Sequence, residues 1–308
     1  MRVLILGAAG FLGRHVNALL RDQPDLQVRT APRQRDLDLG RASPAEWTGL
    51  LDATRPDVIV NCAGCTDGTL EDLHCANTAL VGGLVQAVLG LRAPPRIIHL
   101  GSAAEYGPGP LRPHEDAPTR PASLYGASKL RGTQVLLSAP TRLARVVLRP
   151  FNPVGAGQAA NTVAGRAARQ FREAVSTGGP TVTFGNLSAE RDFIAASDVA
   201  RAVLTVLRRA DAPAVLNVGR GEGRPVREIV QTLARLSGFT GEVREDAAGS
   251  GRSASVSRQW ADTGRLRTLG WLPATSLDEA LGELWRATRC GLLEPSVRPD
   301  VHRPPPAA

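Results

Sequence analysis

Apolar residues along the first half of the chain alternate between short unbroken runs and helically spaced series. Val3 to Leu6 form a run closed by Gly7, and Leu12, Val16, Leu19 and Leu20 then recur on one helix face. This predicts a strand, a glycine loop and a helix. A second extended piece, Leu26 to Thr30, follows Pro24-Asp25, a pair that suits a turn. After Pro44, Trp47, Leu50 and Leu51 share a helix face, and Val58-Ile59-Val60 behind Pro56-Asp57 reads as a buried strand. A helix over Leu73 to Leu89, a strand over Arg96 to Leu100, a helix from near Ser123 through Leu137 and a strand over Ala144 to Leu148 continue the series. Short apolar strands separated by amphipathic helices are what a parallel sheet covered on both faces requires. The predicted fold class is therefore α/β, a doubly wound parallel sheet.

Beyond Pro150 the order changes. Gly155, Gly157, Gly178, Gly179 and Gly185 cut the chain into shorter pieces, which places a second, smaller and discontinuous α/β unit here. Ser197-Asp198 is expected to cap a helix through Leu207, and Ala214 to Val218 reads as a strand returning to the main sheet. Pro225 suits the first turn of a helix carrying Ile229, Val230, Leu233 and Leu236 and closed by Gly238, and Ser276 with Glu279 has capping-box spacing. The expected division is 1–150 for the sheet domain, with a return around 193–218, and 151–293 mainly for the second unit. The proline-rich stretch 294–308 reads as a disordered tail.

The 308 residues suffice for a large core without staples, and 43% hydrophobic and 21% charged residues describe an ordinary globular chain. Aromatics, at 4%, are too scarce for a surface on which nucleic-acid bases stack. The net charge of +8 is spread along the chain and suits a small anionic substrate in an arginine-lined cleft. No nucleic-acid partner is expected. Nor is a membrane, because no apolar run approaches the ~20 residues of a spanning helix. The beginning of the chain lacks the succession of basic, apolar and small residues that directs export, so a cytoplasmic location is expected. Cys62, Cys65, Cys75 and Cys290 are then read as reduced thiols; Cys62 and Cys65 have metal-like spacing, but no second close pair completes a site.

The chemistry is concentrated at strand ends. In Gly7-Ala8-Ala9-Gly10-Phe11-Leu12-Gly13, Gly7 can make the tight turn, Gly10 admits a pyrophosphate to the backbone and Gly13 lets the helix pack closely on the sheet. The helix start offers amides to the anion, which predicts dinucleotide binding. After the second strand, Ala31-Pro32-Arg33-Gln34-Arg35 holds no carboxylate for a ribose hydroxyl, whereas Arg33 or Arg35 could neutralise a 2′-phosphate. NADP(H) is expected over NAD(H), the alternative being two arginines on a solvated loop. Asp36 is placed to accept from the adenine amine or to cap the next turn. Tyr125 and Lys129 stand four apart, one helical turn from each other on a single face. A phenol has a pKa of about 10, and a neighbouring cation lowers it, so Lys129 can make Tyr125 a better proton donor while holding the cofactor ribose. Ser102 follows the strand ending at Leu100, where its hydroxyl can reach the same carbonyl oxygen. Glycine loop, Ser, Tyr and Lys together predict redox chemistry at a carbon bearing oxygen.

On these motifs the sequence resembles an extended short-chain dehydrogenase/reductase, of the nucleotide-sugar epimerase/dehydratase superfamily, from Met1 to about Leu293. The resemblance implies a Rossmann sheet, a homodimer, a nucleotide-diphosphate sugar as substrate, and Ser102, Tyr125 and Lys129 as the catalytic trio. On the cofactor side it implies Gly7, Gly10, Phe11, Leu12 and Gly13, the loop Asn61-Cys62-Ala63-Gly64, Asn77 and Pro150. On the substrate side it implies Asn152 in Leu148-Arg149-Pro150-Phe151-Asn152-Pro153, with Arg191 and Arg252 holding the diphosphate, and it brings Ser102 and Ala103 to the sugar.

The stretches Gly101 to Gly107 and Gly185 to Phe193 are similar to the GDP-6-deoxymannose (GDP-rhamnose) synthase branch, which reduces a 4-ketone. Dehydratases of the superfamily carry Asp and Glu directly after the catalytic Ser or Thr; here stand Ala103 and Ala104, which weighs against elimination of water. The reactive Cys of the fucose-synthase branch is absent from this stretch as well. Glu105 departs from the Val of simple 4-epimerases and is read either as a substrate contact or as a loop carboxylate bonded to backbone amides. The expected activity is NAD(P)H-dependent reduction of the C4 ketone of a TDP- or GDP-linked 4-keto-6-deoxyhexose. The rival is a 4-epimerase with tightly held NAD.

Overall fold

The computed structural model describes residues 1–246 and 256–289. In chain order the first part runs β1 (Arg2–Leu6), α1 (Phe11–Arg21), β2 (Gln27–Thr30), α2 (Pro44–Thr54), β3 (Val58–Asn61), α3 (Leu70–His74), α4 (Leu80–Leu89), β4 (Arg96–Leu100), α5 (Leu124–Leu137) and β5 (Arg145–Pro150). There follow β6 (Pro153–Val154), α6 (Val163–Thr177), β7 (Thr181–Phe184), β8 (Glu190–Arg191), β9 (Ile194–Ala195), α7 (Ala196–Leu207) and β10 (Val215–Val218). The last described elements are β11 (Arg224–Pro225), α8 (Val226–Ser237), β12 (Glu242–Glu245), β13 (Arg258–Gln259), α9 (Gly264–Thr268) and α10 (Leu277–Arg289).

Among the described residues six strands form the main sheet in the order β10-β5-β4-β3-β1-β2, every neighbouring pair parallel. Order reverses between β1 and β3, so the crevice for a ligand opens at the carboxyl ends of these central strands. Alternate side chains of each strand enter opposite layers. Val3, Ile5, Val58, Val60, Ile98, Leu100, Val146 and Leu148 pack with Val16 and Leu20 of α1 and Val199 and Val203 of α7. Leu4, Leu6, Ile59, Ile97 and Val147 pack on the other face with Trp47 of α2, Leu84 of α4 and Leu136 of α5. Both faces being covered explains why the strands read as unbroken apolar runs. This is the doubly wound Rossmann-type sheet expected.

A second core joins α6, α8 and α10 around Phe171, Phe184, Ile229, Leu233, Leu281 and Leu284, flanked by two- and three-stranded sheets of β6 to β9 and β11 to β13. Strand β10 pairs with β5, the predicted return to the main sheet. The Ser276–Glu279 box is present, with Glu279 Oε2 accepting from the Ser276 amide at 2.7 Å and Ser276 Oγ from the Glu279 amide at 3.2 Å.

Two expectations are corrected. Ser197-Asp198 does not cap α7: the helix begins at Ala196 after Ala195, and Asp198 lies inside it, fully buried, accepting from the amides of Ala274 and Thr275. The predicted helix Leu73 to Leu89 starts earlier, behind a Thr69–Asp72 capping box, and is interrupted by a π turn over Cys75–Ala79. Regular periodicity cannot register one extra residue in a turn. The expected tail, 294–308, lies outside the described residues.

Candidate active site

The glycine loop has the geometry its sequence predicts. Gly7 leaves β1 with φ +71°, and a Cβ on it would stand 2.6 Å from the backbone of Ala63 in the loop after β3. A Cβ on Gly13 would collide with the Gly7 carbonyl, so only glycine lets α1 lie this close to the strand. Gly10 differs: a Cβ there meets only the Gly7 carbonyl oxygen, at 3.4 Å, and its other sides are open. Gly10 is also the N-cap of α1, and no side chain caps it, so the helix start, with the half-buried Phe11 and Leu12, is available to an anion. These residues fit a dinucleotide pyrophosphate.

Opposite this loop, the π turn places Asn77 against α5. Fully buried, Asn77 donates to the Cys65 carbonyl and to Ser128 Oγ, both at 2.9 Å, and accepts from the Cys65 amide at 3.1 Å. It thereby fixes the loop Cys62-Ala63-Gly64, whose Gly64 approaches Asn77 Oδ1 too closely to carry a Cβ. Beneath it, Asn61 Oδ1 accepts from the Ala63 amide at 3.0 Å and Asn61 Nδ2 donates to His99 Nδ1 at 3.1 Å. Burial, and next the Lys129 charge, hold His99 well below the usual 6.5.

Lys129 is buried, and its ammonium donates to the Leu100 carbonyl at 2.5 Å, at the end of β4. Burial lowers its pKa from 10.5 to about 8, against the opposing pull of Glu105 and then of Cys62 and Cys65. Cys62 is partly exposed as a residue, yet burial pushes its thiol up to about 12. Ser102, the second residue after β4, caps the short 3-10 turn Ala103–Glu105, its Oγ accepting from the Ala104 amide at 3.1 Å. The first turn of α5 packs on that turn, with a Cβ on Gly126 standing only 2.5 Å from the Ala104 carbonyl oxygen. Tyr125, half-buried, precedes this contact, so the elements carrying Ser102, Tyr125 and Lys129 meet at one edge of the sheet, beside the loop after β3.

Substrate-side candidates fare unequally. Asn152 adopts φ +31°, which its short polar side chain tolerates, and donates to the Asp192 carbonyl at 2.9 Å. Arg191 donates to the carbonyls of Glu190 and Ser257 at 2.9 Å and also to that of Val256, and burial lowers its pKa. Ala103 and Pro150 are buried by the protein itself. Arg252 lies outside the described residues. Glu105 as a substrate contact is corrected: it is 0% exposed, and its carboxylate accepts from the Ser102 amide at 2.9 Å and from Arg149 Nε at 2.9 Å. Sequence reasoning also missed Asp192, a buried carboxylate that accepts from the amides of Arg220, Gly221 and Ala261 and joins β8, β10 and the loop after β13. Burial raises its pKa, against those three bonds. Its only signal was an acid placed between the charged pair Glu190-Arg191 and the apolar Phe193-Ile194.

A parallel sheet with a phosphate-fitting glycine loop, and a Ser turn packed on a helix that carries Tyr and Lys, define an NAD(P)-binding oxidoreductase. The chain belongs to the NAD dependent epimerase/dehydratase family, whose model matches residues 3–219. It is 36% identical over 302 residues to the dTDP-6-deoxy-L-talose 4-dehydrogenase (NAD(P)(+)) of Kitasatospora kifunensis, covering 93% of this chain and 95% of that protein. It is 29% identical over 293 residues to the GDP-6-deoxy-D-mannose reductase of Pseudomonas aeruginosa, covering 91% and 94%. Among solved structures, RMD from Pseudomonas aeruginosa complexed with NADPH superposes with a TM-score of 0.81 at 25% identity, covering 94% of this chain and 99% of that one. MoeE5 in complex with UDP-glucose and NAD superposes with a TM-score of 0.79 at 26% identity, covering 95% and 100%.

The expected preference for NADP(H) is corrected by the same comparisons. MoeE5 is in complex with NAD both with UDP-glucose and with UDP-glucuronic acid, whereas RMD is in complex with NADPH, so the similar structures do not favour NADP(H). Arg33 and Arg35 are exposed beyond β2, and Arg35 lies 3.6 Å from the exposed Asp36.

Proposed function

We propose that this protein reduces the C4 ketone of a nucleotide-diphosphate 4-keto-6-deoxyhexose, with the thymidine-linked sugar the first to try and the guanosine-linked sugar the second. The observation that carries this reading is the turn after β4. Ser102 offers a hydroxyl beside α5, the next two residues are Ala103 and Ala104, and the carboxylate that follows, Glu105, is buried and bonded. A turn so built can polarise a carbonyl but lacks the acid and base needed to eliminate water. The sequence similarity to a 4-dehydrogenase and a reductase of 6-deoxyhexoses supports the same position on the sugar.

When bound, the reduced nicotinamide supplies the hydride. Ser102 orients the C4 carbonyl, and the Tyr125 phenol gives its proton to the oxygen as charge develops there. Lys129 holds the cofactor ribose and stabilises the phenolate that is left. Gly7, Gly10, Phe11, Leu12 and Gly13 bind the pyrophosphate, and Cys62, Ala63 and Gly64, fixed by Asn77, wall the nicotinamide side. Asn152 and Arg191 are assigned to the sugar and its diphosphate, Arg191 exchanging its backbone carbonyl partners for the phosphate oxygens that a guanidinium fork matches.

Replacement of Tyr125 by Phe removes the proton donor and little volume. Turnover of the 4-keto sugar is expected to fall by about 10²- to 10⁴-fold, with NADH affinity nearly unchanged by fluorescence titration. Full activity in Tyr125→Phe would remove the assignment.

A further inference from the structure

The carboxyl ends of β3, β4, β5 and β10 put Asn61, His99, Arg149 and Asn217 on the sheet face covered by α5, all of them buried. Onto this polar row the turn after β4 sets Glu105, and every oxygen of its carboxylate is engaged. Oε1 accepts from the Ser102 amide at 2.9 Å and from the Thr133 hydroxyl at 3.0 Å, and Oε2 accepts from Arg149 Nε at 2.9 Å. Arg149 in turn lies 4.7 Å from the centre of the Tyr106 ring and donates to the Glu115 carbonyl at 3.3 Å. Two charges at such depth carry a desolvation cost that an apolar pair of the same volume would avoid, so packing alone does not account for them. Thr133, moreover, stands four residues after Lys129 and eight after Tyr125, on one stripe of α5. Glu105 is therefore bonded at once to the backbone of Ser102 and to the stripe that carries Tyr125 and Lys129.

We propose that Glu105, balanced by Arg149, is a positioning residue: it bolts the Ser102 turn to α5 through Thr133 and so sets the Ser102 hydroxyl against the Tyr125 phenol. The kinetic arm of this proposal rests on the C4 chemistry proposed above. Its charge has a second consequence. The titratable groups around Lys129 are Glu105 from the turn, Cys62 and Cys65 from the loop after β3 and His99 from β4, with Tyr125 one helical turn before it on α5; among the influences on the ammonium that oppose burial, Glu105 comes first. Loss of that carboxylate lowers the Lys129 pKa further below about 8, so the ammonium is lost at lower pH.

Glu105→Gln alone leaves a buried guanidinium without its carboxylate and invites unfolding, so two other variants carry the test. Thr133→Val cuts only the hydroxyl link at nearly constant volume. Glu105→Gln with Arg149→Met removes both charges together. Thr133→Val is expected to lose roughly tenfold in kcat, and the double variant roughly 100-fold, with the substrate KM changed by less than about threefold. NADH affinity, followed by fluorescence against pH without any sugar, is expected to weaken as the pH passes about 8 in the wild-type protein and at distinctly lower pH in the double variant. A merely structural role moves the melting temperature alone. The proposal is overturned if folded variants keep the wild-type kcat, if the NADH curve has no such limb, or if the limb does not move. Should the double variant not fold, the kcat of Thr133→Val decides. Should the wild-type protein turn over no 4-keto sugar, the C4 reading fails, while the NADH curves still decide the role of Glu105.

Discussion

Lys129 illustrates what a single buried charge costs and what it supplies. An ammonium lowered to about 8 is less stable inside the protein than in the unfolded chain, and that cost is present below about pH 8 and relieved as pH rises toward 10.5. A purely structural position would hold an apolar side chain there; this one keeps a cation one helical turn from a phenol. His99 lies at the opposite limit. It is 1% exposed, its Nδ1 accepts from Asn61, and its Nε2 makes no hydrogen bond among the described residues. Its folded pKa lies below 6.5, so the unfolded chain takes up a proton first on acidification and the folded state loses stability as pH falls below about 6.5. Urea unfolding at pH 7 and pH 5 is expected to show the wild-type protein losing about 2 kcal/mol more than His99→Gln over that interval. Equal losses in both proteins would mean that His99 takes up its proton as readily in the fold as in the unfolded chain. Only the first of these roles was legible in the sequence. Tyr125 and Lys129 announced themselves by their spacing, whereas the polar row Asn61, His99, Arg149 and Asn217 depends on which face each strand turns to α5. A run with both faces buried does not reveal that.

At the scale of elements, the strand-loop-helix unit at the start of the chain was legible because it is local: one apolar run, three glycines and one helical period specify it. The π turn over Cys75–Ala79 was not, although it is what delivers Asn77 to both Cys65 and Ser128. The cofactor preference drawn from the two arginines after β2 failed for a different reason. A cation beyond a strand has the same residue type, and without a ligand the same exposure, whether its partner is a phosphate or water. The glycine loop itself yields a contrast between neighbours. Gly13→Ala drives a Cβ into the Gly7 carbonyl and is expected to lower the melting temperature markedly, because packing strain of this kind costs about 1–3 kcal/mol. Gly10→Ala has room within the protein and is expected to melt within a few degrees of the wild type while binding NADH at least about tenfold more weakly, since the methyl group occupies the pyrophosphate's approach. Calorimetry and fluorescence titration on the two variants check this pair, and tight NADH binding by Gly10→Ala would place the dinucleotide elsewhere.

For the whole molecule, the doubly wound architecture was legible from periodicity and the family from its motifs, and the solved relatives corrected the cofactor. The second unit was harder to read, because its two-residue strands β6, β8, β9, β11 and β13 are too short to carry a period. Its attachment nevertheless runs through identifiable groups. Asp192 ties β8 to the loops after β10 and β13, and Gln259 of β13 donates to the Gly107 carbonyl at 3.0 Å, just past the Ser102 turn. The strand carrying Arg191, to which Asn152 is bonded through Asp192, is thereby tied to the loop that follows the Ser102 turn. Freshly prepared dTDP-4-keto-6-deoxyhexose, the protein and either NADH or NADPH, with dinucleotide absorbance and the NMR spectrum of the sugar followed together, test the central claim most directly. One dinucleotide oxidised for each ketone lost, with a C4 alcohol as product, is the predicted result. Inversion at C4 of a nucleotide hexose without net oxidation of added dinucleotide, or an untouched ketone, contradicts it.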